Sequence, residues 1–101
     1  MKEISVEKII EDNGLNIIDI RDNYLYNIGH INNSINIPMN LLLMNPSNYL
    51  DKNETYYLYC SYGNNSKIAC DKLTRCGYNV VNIVGGFNEY NLCKHVYRND
   101  K

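Results

Sequence analysis

The chain has 101 residues, 45% of them apolar and 21% charged, with a formal net charge of -1. That length supports one domain with a real core and is too short for two. The near-zero charge supplies no long-range field for nucleic acid or an anionic membrane. No apolar run approaches the roughly 20 residues that span a bilayer. The N-terminus, MKEISVEKII, mixes charges into its apolar positions and lacks the uninterrupted core of a signal peptide. A cytoplasmic location is therefore expected, with Cys60, Cys70, Cys76 and Cys93 mostly reduced. Their spacings contain no Cys-x-x-Cys, and neither His30 nor His95 is placed to complete a zinc site, so neither metal nor organic cofactor is expected.

In chain order, a strand-like piece opens near Ile4. Ser5 is placed to cap a helix running to about Asp12, with Lys8 and Glu11 on one face. Asn13-Gly14 closes it, with Gly14 suited to a left-handed conformation. LNIIDI, residues 15–20, is apolar on both faces, as a central strand of a parallel sheet is. Residues 22–28 read as a short helix or turn, and SINIP, 34–38, as a brief strand stopped by Pro38. Short helical pieces around Pro46 fill 39–51. TYYLYC, 55–60, is rich in strand formers. SKIACDKLTRCG, 66–77, carries a helical apolar stripe, with Ser66 as cap, Arg75 in the last turn and Gly77 as stop. VVNIV, 80–84, is another buried strand, and Gly85-Gly86 turns into a last helix over about 87–95. The final residues, NDK, are expected to fray.

Strands alternating with helices through short connections predict an α/β fold: a mainly parallel sheet of about five strands with helices on both faces. Sites in such sheets form beyond the carboxyl ends of the strands, which is where Cys60 falls. The loop Ser61-Tyr62-Gly63-Asn64-Asn65 then leads into the helix starting near Ser66. A loop curled over a helix N-terminus points the backbone N–H groups of residues 61–66 into one concavity, where they and the helix dipole stabilise negative charge. A cysteine there is held as a nucleophilic thiolate at neutral pH. Gly63 permits a positive φ, and Asn64 and Asn65 are suited to bracing the loop. The alternative is that Cys60 is a small apolar residue ending a core strand, and the local sequence leaves both open.

The stretch IIDIRDNYLYNIGHINNSINIP, with Asp19, Arg21, Tyr26, Gly29, His30, Ile31, Asn36 and Pro38, resembles the first signature of the rhodanese-like family. YCSYGNNSKIACDKLTRCGYNVVNIVGGFNEY resembles its second half. The Cys-x-x-Gly-Asn-x-Ser-Lys form is most similar to small single-domain bacterial thiosulfate sulfurtransferases, and the resemblance covers nearly the whole chain as one domain, 1–101. It implies that Cys60 takes a sulfane sulfur from thiosulfate or a persulfide donor. The Cys60 persulfide then passes it to cyanide, a thiol or a protein acceptor. Ser61, Tyr62, Gly63, Asn64, Asn65 and Ser66 would form the substrate cradle, with Arg21 and Lys67 at its rim. Implied partners are a small sulfur-containing anion or thiol and a thioredoxin-like or desulfurase protein, not nucleic acid or a membrane. Related folds that act on phosphate have a loop one residue longer and an arginine six positions after the cysteine, and position 66 here is Ser66. Many rhodaneses carry an arginine where this chain has Asn65, so the loop gives up one charge.

Asp19 and Arg21 share the sheet edge with Cys60 and read as ties between loops more than as pocket groups. His30, in Gly-His-Ile, reads as a structural corner rather than a base. Cys70 reads as a core residue, Cys76 and Cys93 as core or surface thiols, and His95 as exposed. Tyr62 is placed to wall the pocket or guide a partner. Two rivals remain: a non-turnover sulfur carrier or interaction module on the same fold, and a redox sensor that forms a Cys60–Cys70 disulfide.

Overall fold

The structure is a computed structural model, and it describes residues 1–99. The fraying expected at residues 100 and 101 and the exposure expected of the His95 side chain fall outside the described residues, while Asn99, also expected to fray, ends a helix. The elements run β1 (Lys2–Ile4), α1 (Val6–Glu11), β2 (Ile17–Asp19), α2 (Asn23–Ile28), β3 (Ser34–Asn36), α3 (Met39–Met44), a 3₁₀ turn (Pro46–Asn48), β4 (Thr55–Tyr59), α4 (Asn64–Arg75), β5 (Asn79–Ile83) and α5 (Gly86–Asn99). The strands form one sheet in the order β1-β5-β4-β2-β3, every pairing parallel. This is the α/β class the alternation predicts.

The sheet buries both faces. Leu58 and Val80 pack under Leu42 of α3 and Ala69, Cys70 and Leu73 of α4. Ile17, Tyr59 and Ile83 pack on the other side, under Val6 and Ile9 of α1 and Tyr90 of α5. Because side chains alternate along a strand, Cys60 continues the Leu58 face, toward α4. The tyrosines do more than fill volume. The fully buried Tyr59 accepts the Ile31 N–H at 3.0 Å and bonds Ser34 Oγ at 3.0 Å, pinning the loop before β3 to the core. Among the described residues, no helix is long and apolar enough to cross a membrane.

Three local expectations are corrected. The helix after the loop starts at Asn64, not near Ser66: Gly63, at φ 99°, is its N-cap, and Ser66 lies inside the first turn. A left-handed glycine lets the chain turn into the helix at once. Gly14 is not in the left-handed region; α1 ends instead on an extended Asp12, whose carboxylate accepts the Gly14 N–H at 2.9 Å. The last helix runs to Asn99 rather than about residue 95, because no glycine or proline follows Gly86 to stop it. Elsewhere Ser5 caps α1 through the Lys8 N–H, and Gly77, at φ 92°, stops α4.

Candidate active site

Cys60 leaves β4 between two helix N-termini. Its carbonyl accepts the Phe87 N–H at 2.9 Å, and the Ser61 carbonyl accepts the Asn88 N–H at 2.9 Å, both donors from the first turn of α5. Gly86, at φ 59°, permits this approach: a Cβ there would run into the Cys60 and Ser61 carbonyls. With its carbonyls drawn to α5, the loop turns N–H groups toward the sulfur. Gly63 N–H reaches Cys60 Sγ at 3.1 Å and Ser66 N–H reaches it at 3.3 Å. The thiol contacts Ser66 Oγ at 3.4 Å. Two backbone donors at the start of a helix stabilise negative charge on that sulfur.

Cys60 lies on the floor of a cleft of about 700 Å³. That volume falls in the range of small-molecule sites and far exceeds what a small oxyanion fills. Ile20, Leu25, Met39 and Leu43 line it opposite Ser61, Tyr62, Asn64 and Asn65, with Arg21 and Asp22 beside them. Tyr62 is 69% exposed, which puts a solvent-facing aromatic beside the cleft. Asn64 and Asn65 are exposed and line the cleft rather than bracing the loop. Lys67 is exposed on α4 and is not among the residues lining the cleft.

Arg21 reaches the cleft, but its guanidinium is engaged. It grips the fully buried Asp19 through Nε and Nη2, the shortest contact being 2.7 Å, and donates to the Gly29 carbonyl at 2.6 Å. Phe87 lies under it, 4.5 Å from ring centroid to Cζ. Burial opposes its charge, but Asp19 outweighs burial and holds the guanidinium above its ordinary value. Asp19 and Arg21 therefore tie the loop after β2 to the end of α2 and to Phe87 of α5. His30 is exposed, stacked on Tyr26, with Nδ1 donating to the Tyr26 carbonyl at 2.8 Å, which places it in a corner outside the cleft lining. Cys70 is fully buried in the core, and burial pushes its thiol up to about 12. All four cysteines are free thiols; Cys76 is exposed and Cys93 half-buried.

Sequence reasoning missed two parts of this site. One is the apolar wall of Leu25, Met39 and Leu43, which comes from α2 and α3 and has no signature of its own. The other is Asn82, buried in β5, whose Oδ1 accepts the Ser66 hydroxyl at 2.5 Å. A lone asparagine in VVNIV was the available signal.

The chain belongs to the rhodanese-like family: it matches the Rhodanese-like domain over residues 4–93. It is 33% identical over 90 residues to an adenylyltransferase and sulfurtransferase of Ogataea parapolymorpha, covering 88% of this chain and 23% of that protein. It is 31% identical over 93 residues to the Bacillus subtilis protein YrkF, named as a sulfur carrier, covering 87% of this chain and 50% of that protein. It is 32% identical over 95 residues to a tRNA uridine(34) hydroxylase of Buchnera aphidicola, covering 84% and 29%. The chain thus spans about a quarter to a half of the length of these curated relatives. Among solved structures, a protein of Staphylococcus saprophyticus superposes with a TM-score of 0.79 at 37% identity, covering 89% of this chain and 93% of the other. A rhodanese-like domain protein of Staphylococcus aureus does so at 0.78 and 31%, covering 89% and 91%.

Proposed function

We propose that the chain is a single rhodanese-like domain that transfers sulfane sulfur through a persulfide on Cys60. The observation that carries this reading is Cys60 Sγ on the floor of an open cleft, held by two N–H donors at the start of α4. In the forward step the Cys60 thiolate attacks the outer sulfur of thiosulfate; the sulfur–sulfur bond of the donor breaks and sulfite leaves with its electron pair. The persulfide formed carries one negative charge, which the cradle of residues 61–66 stabilises. Cyanide, a thiolate or a protein thiolate then takes the outer sulfur, and Cys60 leaves as thiolate. Charge and atoms balance in both steps. Asn64 and Asn65 would meet the donor's oxyanion as neutral hydrogen-bond groups. The four reduced thiols suit a cytoplasmic setting.

A second reading is favoured by one feature. The exposed rim carries the neutral Asn65 rather than a cation, and Arg21 is held by Asp19. A weak grip on thiosulfate fits a carrier loaded by a desulfurase or a thioredoxin-like partner. Intact mass after incubation with thiosulfate separates the two. A gain of about one sulfur atom (~32 Da), lost in Cys60→Ser and accompanied by thiocyanate production, is the expected result for a turnover enzyme. No adduct with thiosulfate, but an adduct from a desulfurase persulfide, would assign the carrier role. A Cys60 inert to every donor and to alkylation would refute both.

A further inference from the structure

Behind Cys60 runs a chain of buried polar groups that the sulfur transfer above does not use. Asn82 sits inside β5, 2% exposed, on the face it shares with Val80. Its Oδ1 accepts the Ser66 hydroxyl at 2.5 Å, and its Nδ2 donates to Glu3 Oε2 at 3.4 Å. Glu3 is its register partner on β1. The Glu3 contact fixes the amide: turned over, it would set two oxygens against each other at the carboxylate. An acceptor is thereby aimed at Ser66.

The Ser66 hydroxyl has one proton and several acceptors within reach. Asn82 Oδ1 lies at 2.5 Å, the Gly63 carbonyl at 3.2 Å, and Cys60 Sγ at 3.4 Å. Asn82 takes it, since an unpaired side-chain carbonyl in the core would be costly; the Gly63 carbonyl already accepts the Lys67 N–H at 3.2 Å, so without Asn82 a thiolate is the stronger remaining acceptor. A protonated Cys60 donates to Ser66 Oγ; a thiolate cannot, and faces that oxygen's lone pairs. We propose that Asn82 is a positioning residue that withholds the Ser66 proton from Cys60 and so sets how readily the thiol ionises. The sulfur is left with its two backbone donors. A third would make the thiolate easier to form and less reactive, since nucleophilicity falls as a thiol becomes more acidic.

Other titratable groups surround the sulfur. Arg21, Asp22 and Tyr62 share the cleft, Cys70 lies behind on α4, and Glu3 stands beyond Asn82 on β1. Of these, a substitution at Asn82 touches only Glu3, which loses the Nδ2 donor whether or not position 66 carries a hydroxyl. The inference rests on Cys60 being the ionising nucleophile of the proposed function, but not on any sulfur donor.

The test is the pH dependence of Cys60 alkylation by iodoacetamide, read by intact mass in a Cys76→Ser/Cys93→Ser chain. It is made with Asn82→Leu, Ser66→Ala and the two together; leucine nearly matches asparagine in shape, and Asn82→Val replaces it if that chain does not fold. The midpoint is expected to fall by about one pH unit in Asn82→Leu, the size of one hydrogen bond to a charged group. The fall should vanish when position 66 is alanine. An unchanged midpoint in folded Asn82→Leu overturns the proposal, and so does an equal fall with and without the Ser66 hydroxyl. A chain that shows the coupled shift yet takes no sulfur from thiosulfate or from a desulfurase persulfide supports this assignment and counts against the sulfur-transfer reading alone.

Discussion

Arg21→Met separates a tie from a substrate group. The substitution strands Asp19, which is 0% exposed, without its counter-charge. Removing one member of a buried pair costs about 3–5 kcal/mol, because the other charge stays in the core. Asp19 keeps the backbone N–H of residue 21 at 2.8 Å, so the lower end applies, about 3 kcal/mol. In a domain of this size 1 kcal/mol moves the melting temperature by about 4–8 °C, so a fall of about 12–24 °C is expected. Adding Asp19→Asn removes the stranded charge and should restore part of the loss. The measurement is thermal unfolding by circular dichroism, followed by the thiosulfate dependence of persulfide formation well below the mutant's transition. Structural tying predicts a large drop in melting temperature with an unchanged half-saturating concentration. An Arg21→Met chain that melts normally but needs roughly tenfold more thiosulfate, a loss of about 1.4 kcal/mol in binding, would refute the reasoning and make Arg21 a substrate group.

Three further outcomes are expected. Tyr59→Phe leaves the buried Ile31 N–H without its acceptor and should cost about 1–3 kcal/mol, seen as a lower urea midpoint with an unchanged slope. Gly86→Ala places a side chain at φ 59° and against the Cys60 and Ser61 carbonyls. It should cost at least about 1–2 kcal/mol, and Cys60 should react more slowly with a disulfide reagent as the cradle shifts. Burial raises the Cys70 thiol from 9.0 to about 12, so the unfolded chain releases that proton first. Stability that Cys70 contributes is intact below about pH 9 and is lost as pH rises toward 12, with Tyr59, also raised by burial, adding to the loss. Urea unfolding at neutral and alkaline pH should show that decline, and Cys70→Ala should lessen it.

The sequence made the strand–cysteine–helix unit legible because each piece is local. Thr55 to Tyr59 reads as a strand from its side chains alone, and the stripe through Ala69, Cys70 and Leu73 reads as a helix face. Ser5 and Gly77 are equally local signals. The helix start was misread because a serine is a common cap, whereas here Gly63 takes that place and the Ser66 N–H serves the sulfur. Asn82 was overlooked for a different reason. Its role depends on Ser66, 16 positions earlier, brought to it by α4 packing on β5, and on Glu3, 79 positions earlier, brought by the β1–β5 pairing. The cleft wall from α2 and α3 is likewise a product of topology.

The Gly85-Gly86 pair shows how far a local reading can undervalue a residue. From sequence it is punctuation before a helix. In the fold it lets α5 press its first N–H groups onto the carbonyls of Cys60 and Ser61. A loop that curls around a sulfur has both N–H and C=O dipoles to place, and carbonyls facing inward would repel a thiolate or persulfide. α5 takes two of them outward, while α4 supplies the donors at Gly63 and Ser66. The inward-facing donors of the cradle are thus a property of two helix termini acting on opposite sides of one loop. A substitution on α5 that touches neither sulfur nor substrate should therefore weaken the site as surely as one in the loop itself.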